Sequence, residues 1–415
     1  MHPHRIFRLR FAAALAGAML AAAAHAEPLT YASALDLADR SAPRLQASAL
    51  KVEAARAASR AAGRLPDPKL SVGVENFPVS GPNAGRFGAD FMTMTKVGVM
   101  QDVPNAARRR AEVSGATAEI GVAQAEAALE ARNVRVATAL AWIDLAYAER
   151  RLTDLDRFVD GLKDLWAGQP ASIASGASRP AAGLEPTRLR AVFADRRSEL
   201  VAAVAKARAE LARWTGDPAP TTSGDAPHYQ IDAAALRAAL DRHPSLLTAE
   251  AAERRAAADV DAARAAKRPD WGFEVSYARR DPMFGDMVSA GVTMSLPLFQ
   301  STRQEPLIAA RVADRNRARI EREDRRRQLI AALDSELADH VAHHDQWRRA
   351  VEVLVPTAEQ RAHLEVTSYA AGRAGFDDIR MALTDLADAK LEAIEREAMV
   401  ARDGARIVLT YGADQ

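Results

Sequence analysis

The sequence predicts a mainly α fold with a small β part, in which one unit of helix, two strands and a long helical hairpin is written twice. Three observations carry this. Alanine dominates while aromatics make up only 5% of the chain, a composition that suits long, closely packed helices better than a compact sheet protein. Apolar residues recur at a spacing near 3.5 over stretches free of proline. A set of breakers repeats in order: Pro43 with Pro244, Pro66 with Pro269 and Pro104 with Pro297, at separations of 201, 203 and 193 residues. Repetition at a near-constant offset is the mark of a duplicated unit.

At the N-terminus, Arg5, Arg8 and Arg10 precede an apolar stretch from Phe11 to Ala24 and the small-x-small site Ala24-His25-Ala26. This pattern predicts a secretory signal peptide over residues 1–26. Cleavage after Ala26 would leave 389 residues with a formal charge of −2, since the whole chain carries 56 Lys+Arg against 55 Asp+Glu and the leader holds three arginines and no acid. Such a balance excludes a strongly basic nucleic-acid binder. The chain has no cysteine, so disulfides, thiolate metal sites, a cysteine nucleophile and lipidation on cysteine are all excluded. Beyond the leader no run of 18 apolar residues occurs, which excludes a membrane-spanning helix.

The first repeat is assigned to residues 27–215, a linker to 216–230 and the second repeat to 231–415. Asp39-Arg40-Ser41-Ala42-Pro43-Arg44-Leu45 returns as Asp241-Arg242-His243-Pro244-Ser245-Leu246. Alanine- and arginine-rich helical segments follow, over 44–63 and 245–267, each stopped by a Pro-Asp pair.

Next come two extended segments per repeat, about 69–77 and 91–101, then about 270–279 and 287–296. Trp271, Phe273, Val275 and Tyr277 alternate with Gly272, Glu274, Ser276 and Ala278; Val288, Ala290, Val292 and Met294 alternate with Ser289, Gly291 and Thr293. A period of two with different faces means a strand between two environments. Leu70, Val72 and Val74 repeat the pattern, whereas Met92, Met94 and Met100 compete with Phe91, Val97 and Val99 for the apolar face of 91–101. These methionines serve as packing groups better than as soft-metal ligands. Strands of this length suit a tilted membrane β-strand, but periodicity alone equally permits two hairpins on a small soluble sheet. Four strands cannot close around water, and an open edge cannot sit in lipid. A membrane reading therefore demands several chains sharing one barrel. The segments Pro78–Asp90 and Arg279–Asp286 read as hairpin tips.

Helical hairpins are predicted over about 105–215 and about 303–410. Val134, Ala137, Ala141, Leu145, Ala148, Leu152, Leu155, Val159, Leu162 and Trp166 form one stripe with a period near 3.5, which keeps a seam against a partner helix. Leu329, Leu333, Leu337, His340, His344, Trp347, Val351 and Leu354 repeat it. Pro356 is expected to kink or break its helix, and the charged run 311–327 to be a solvated face. Each hairpin reverses at a glycine-containing turn. One turn holds Gly176, Gly183 and Leu184; the other holds Gly372, Arg373, Phe376, Asp377 and Asp378, with Asp377 as the expected cap.

This doubled order behind a leader resembles the bacterial outer-membrane efflux family (TolC-like), over about residues 29–412. The junction Ser295-Leu296-Pro297-Leu298-Phe299-Gln300-Ser301-Thr302-Arg303-Gln304-Glu305-Pro306 is similar to that of its cobalt–zinc–cadmium and copper–silver branch. The resemblance implies a homotrimer with a twelve-stranded outer-membrane β-barrel, in contact with outer-membrane lipid and continued by an α-helical coiled-coil periplasmic tunnel. It implies partners too: a periplasmic membrane-fusion adaptor meeting the turns at Gly176, Gly183, Leu184, Gly372, Arg373, Phe376, Asp377 and Asp378, and an inner-membrane resistance–nodulation–division pump. Divalent heavy-metal cations are the cargo it suggests, with organic compounds as the alternative. A soluble periplasmic coiled-coil scaffold is the rival from another class.

No catalytic constellation is visible, so no enzymatic activity, cofactor or nucleic-acid partner is expected. His340, His343 and His344 sit together on one helical face. That spacing allows a transition-metal relay or pH-sensitive gate, but it reads better as a polar interruption of the seam.

Overall fold

The computed structural model describes residues 27–163 and 183–412; the leader and Gly176 lie outside them, as does Trp166. Helices α1 (Tyr31–Ser41) and α2 (Pro43–Ser59) precede strands β1 (Lys69–Glu75) and β2 (Met94–Val103), then helix α3 (Ala106–Asp160). Helix α4 (Glu185–Thr215) closes the first copy. The second copy runs α5 (Ala233–Ala239), α6 (Pro244–Ala265), β3 (Trp271–Arg279), β4 (Met287–Met294), α7 (Gln304–Arg349), a π turn (Ala350–Leu354), α8 (Val355–Ala370) and α9 (Phe376–Tyr411). By contact the chain divides into two compact units, each drawing segments from both repeats.

The repeated proline marks one structural event. Pro43 and Pro244 each open a helix, where the missing N–H costs nothing and the fixed φ favours the first turn. In the second copy the His243 Nδ1 also accepts from the Ser245 N–H at 3.1 Å.

One unit holds residues 44–130 and 238–331, and with them the whole sheet, an antiparallel meander in the order β1-β2-β3-β4. Asp270, of the second Pro-Asp breaker, ties the sheet to the helices. Its Oδ1 accepts from the Asn105 backbone N–H and from Nδ2, both at 2.8 Å, while Asn105 Oδ1 accepts from the Arg108 N–H at 2.9 Å and so caps α3. Replacing Asn105 with alanine removes the cap, and we expect a loss of about 1–2 kcal/mol, read as a lower melting temperature of the purified protein. The charged run 311–327 is a solvated face laced by ion pairs such as Arg317–Glu321 (2.9 Å), with Arg322 reaching Glu253 at 3.2 Å.

The β2 strand begins at Met94, three residues later than the pattern suggests. Asp90 Oδ1 accepts from the Met92 N–H at 2.9 Å, and the Thr93 hydroxyl bonds the Asn76 carbonyl at 3.1 Å. These bonds hold Phe91–Thr93 in a turn that competes with the strand ladder.

The other unit, residues 1–43, 131–237 and 332–415, is a helical core. Val134, Ala141, Leu145 and Leu155 of the α3 stripe are buried, as are Trp142 and Ile143 beside it. The Trp142 indole N–H donates to the Leu29 carbonyl at 2.8 Å, and its ring meets Tyr31 edge-on at 5.5 Å.

The second stripe departs from expectation at its end. Leu333 is buried, but Val351 and Leu354 are exposed while Ala350 faces the core. The helix does not stop at Pro356. It passes through the π turn, whose wider winding takes up the amide donor that proline lacks and shifts the apolar phase.

Candidate functional site

Two features of the fold can carry function. The first is the sheet. Its register aligns Val72, Val97, Tyr277 and Val288 in one row, and Leu70, Val99, Val275 and Ala290 in the next. These rows, with Phe273, Val292, Trp271 and Met294, form one continuous apolar face whose large side chains are exposed in the chain. The opposite face carries Ser71, Gly98, Ser276 and Ser289 in one row, then Gly73, Lys96, Ala278 and Met287. The ambiguous strand is thereby resolved: Val97 and Val99 share the aromatic face, and Met94 and Met100 the polar one. Exposed apolar surface of this extent needs a cover. Both edge strands, β1 and β4, also lack a second neighbour within the sheet.

The second feature is the helical tip in the other unit. Gly372 adopts φ +72° as the C′ residue of a Schellman motif: its N–H bonds the Tyr369 carbonyl and the Arg373 N–H bonds the Ser368 carbonyl, both at 2.9 Å. Asp378, rather than the expected Asp377, caps α9, its Oδ2 accepting from the Gly375 N–H at 2.9 Å. Asp377 instead accepts from Arg380 Nε at 2.8 Å. The same Arg380 Nε lies 3.3 Å from Glu185 Oε2, in the first turn of α4.

Arg380 thus joins the start of α4, next to Gly183 and Leu184, to the start of α9. Sequence reasoning missed both Arg380 and Glu185; the i,i+3 spacing of Asp377 and Arg380 was the available signal. Leu184 is 71% exposed, and Arg373 and Asp377 are exposed as well. Phe376 is different: only 3% exposed, it stacks edge-on with Tyr369 at 6.0 Å. It supports the turn from the core and offers no surface to a partner.

Of the three histidines, His343 meets α9. His343 Nδ1 is 2.6 Å from Asp403 Oδ2, whose other oxygen meets Arg406 at 3.1 Å. His344 packs between His340 (6.4 Å) and Trp347 (5.6 Å). Among the described residues no group of three His, Asp or Glu side chains could hold a metal ion. Burial lowers the His340 pKa, with His344 and His343 adding to the effect and Asp403 opposing it. A base so depressed favours the fold while neutral, so stability falls as pH drops below the ordinary imidazole value of 6.5. Glu336, raised by burial, has the opposite sense and costs stability as pH rises above its ordinary 4.5. We expect the melting temperature to fall between pH 7.5 and about 5.5, and the His340→Gln variant to flatten that acid limb.

Among the described residues no helix is long and apolar enough to cross a membrane. The fold, mainly helical with one small antiparallel sheet, is similar to that of solved outer-membrane efflux channels. Residues 235–413 match the family model described as "Outer membrane efflux protein", and no curated protein sequence matches the chain. Among solved structures, CusC superposes with a TM-score of 0.78 at 14% identity, covering 92% of each chain. The Campylobacter jejuni outer membrane channel CmeC gives 0.77 at 11% identity, covering 92% of this chain and 85% of the other. The outer membrane protein VceC of Vibrio cholerae gives 0.74 at 17%, covering 92% and 96%.

Proposed function

We propose that the chain is the outer-membrane channel of a tripartite efflux pump, a passive export duct. The observation that carries this reading is the sheet: one face apolar and exposed in every strand, the other made of small, polar and charged residues with three methionines, and both edges open. A soluble sheet would cover or charge its apolar face and blunt its edges. Three copies placed side by side satisfy every edge and make a twelve-stranded barrel with lipid outside and water inside. The family match over 235–413 and the fold support the same reading.

The chain sits in the outer membrane, and its helices extend into the periplasm. A periplasmic adaptor engages the tip at Leu184, Arg373 and Asp377, together with Gly176, Gly183, Gly372 and Asp378. An inner-membrane pump of the resistance–nodulation–division type drives the export. Divalent heavy-metal cations are the proposed cargo, on the resemblance of residues 295–306 to the metal-efflux junction.

Membrane fractionation with a size measurement tests the duct: the protein should enter the outer-membrane fraction and leave it, in detergent, as a trimer. Recovery as a soluble monomer would overturn the reading. Growth of a deletion strain on zinc, cobalt, cadmium and copper against an antibiotic panel tests the cargo; sensitivity confined to the antibiotics would overturn the metal assignment.

A further inference from the structure

The polar face of the sheet carries charge in an unequal arrangement. Near one end Lys69 pairs with Asp102 at 2.7 Å. Further along, Lys96 on β2 lies 3.2 Å from Glu75 on β1 and also 3.2 Å from Glu274 on β3. By register these are the five charges on this face of the strands, two lysines against three carboxylates. Between them lies Gly98 of β2, flanked by the short side chains of Ser71 and Ser276. A Cβ on Gly98 would meet Ser71 Oγ at 2.8 Å and Ser276 Cβ at 3.1 Å, and would touch Glu274 Oε1 at 3.4 Å, so the glycine keeps the floor low beside the carboxylate. Lys96 is tucked between its partners while Glu75 stands more open, at 25% and 48% side-chain exposure. A lysine held by one carboxylate would make a neutral pair. Two carboxylates leave one negative charge over, on the side where the face is open.

We infer that the Glu75–Lys96–Glu274 cluster makes the interior of the barrel prefer cations, with Lys96 setting how strong that preference is. The inference rests on the duct reading, in which this face lines the lumen and three copies set three such clusters around it. Walls of low dielectric focus the field of a charged ring, so a small excess of charge acts on every ion that passes. The cargo class this favours is cationic, and anions are held back.

The absence of cysteine makes single-cysteine labelling clean. Gly73 lies directly opposite Lys96, and a Cβ there meets nothing within 4 Å, so Gly73→Cys reports on the polar face. Val72→Cys reports on the apolar face. In outer-membrane vesicles at low salt, the reagents are a trimethylammonium methanethiosulfonate and a sulfonate one, each scaled to its rate with a free thiol. Gly73→Cys should react faster with the cationic reagent. Adding Lys96→Met should widen the ratio about tenfold, and adding Glu75→Gln with Glu274→Gln should bring it below one.

A ratio moved by neither change would overturn the inference while leaving the duct intact. Equal labelling of Val72→Cys and Gly73→Cys would instead sink the two-faced duct, and the inference with it. Should Lys96→Met prevent trimer assembly, Glu75→Gln alone carries the test. It keeps the Lys96–Glu274 pair and must lower the ratio for the inference to stand.

Discussion

Replacing Val275 with arginine should abolish accumulation of the assembled protein in the outer membrane, while Ser289→Arg is tolerated. Val275 lies on β3 between Val99 and Ala290, in the middle of the apolar face, and is 59% exposed in the chain. In water, a new arginine at such a position changes stability by about 0.5 kcal/mol or less. Against lipid it costs about 2–4 kcal/mol near the bilayer midplane. In the proposed trimer this cost recurs in each of three subunits. Ser289 is on the polar face, opposite Ser276, where the proposed lumen would solvate a guanidinium. The measurement is the yield of heat-resistant trimer in the outer-membrane fraction for the two variants. Equal yields would mean that both faces meet water, and the barrel would have to be abandoned.

That experiment turns on a distinction the sequence shows clearly in one repeat and hides in the other. Trp271, Phe273, Val275 and Tyr277 alternate with small and polar residues, so β3 declares its two faces unaided. In β2 the signal is mixed, because Met94 and Met100 share their face with Lys96, Gly98 and Asp102 and compete as apolar residues with Val97 and Val99. Pairing to β3 decides, because Val97 falls opposite Tyr277 and Val99 opposite Val275. The helices behave similarly. The α3 stripe is legible because a 3.5-residue period runs unbroken, whereas the one on α7 loses phase where the π turn inserts. Pro356 signals a disturbance there but not its form, since a kink, a break and a widened turn all meet the loss of one amide donor. At the tip, glycine announces the reversal because only φ > 0 closes the motif at Gly372. Arg380 reads as an ordinary surface residue, and its partner Glu185 is 195 residues away in the chain. Long-range ion pairs leave no local pattern to find.

Removing Arg380 should loosen the tip more than any change among the exposed tip residues. Its side chain is 18% exposed and the facing Glu185 25%, so Arg380→Ala leaves a largely buried carboxylate without its cation. Breaking a buried pair from one side costs about 3–5 kcal/mol, and partial access of water here places the effect toward the lower figure. Arg373 is exposed, and its replacement should change stability by about 0.5 kcal/mol or less. The readout is entry of a large polar antibiotic through the channel in cells lacking the inner-membrane pump, with higher susceptibility expected for Arg380→Ala. If the pair matters as a fastening, restoring neutrality should restore it: the double variant Glu185→Leu with Arg380→Leu removes the stranded charge and substitutes apolar contact, which in comparable buried pairs is neutral or stabilising. Susceptibility should then return toward the parent value. A double variant as leaky as Arg380→Ala would show that the guanidinium acts through something other than Glu185, with Asp377 the remaining partner to examine.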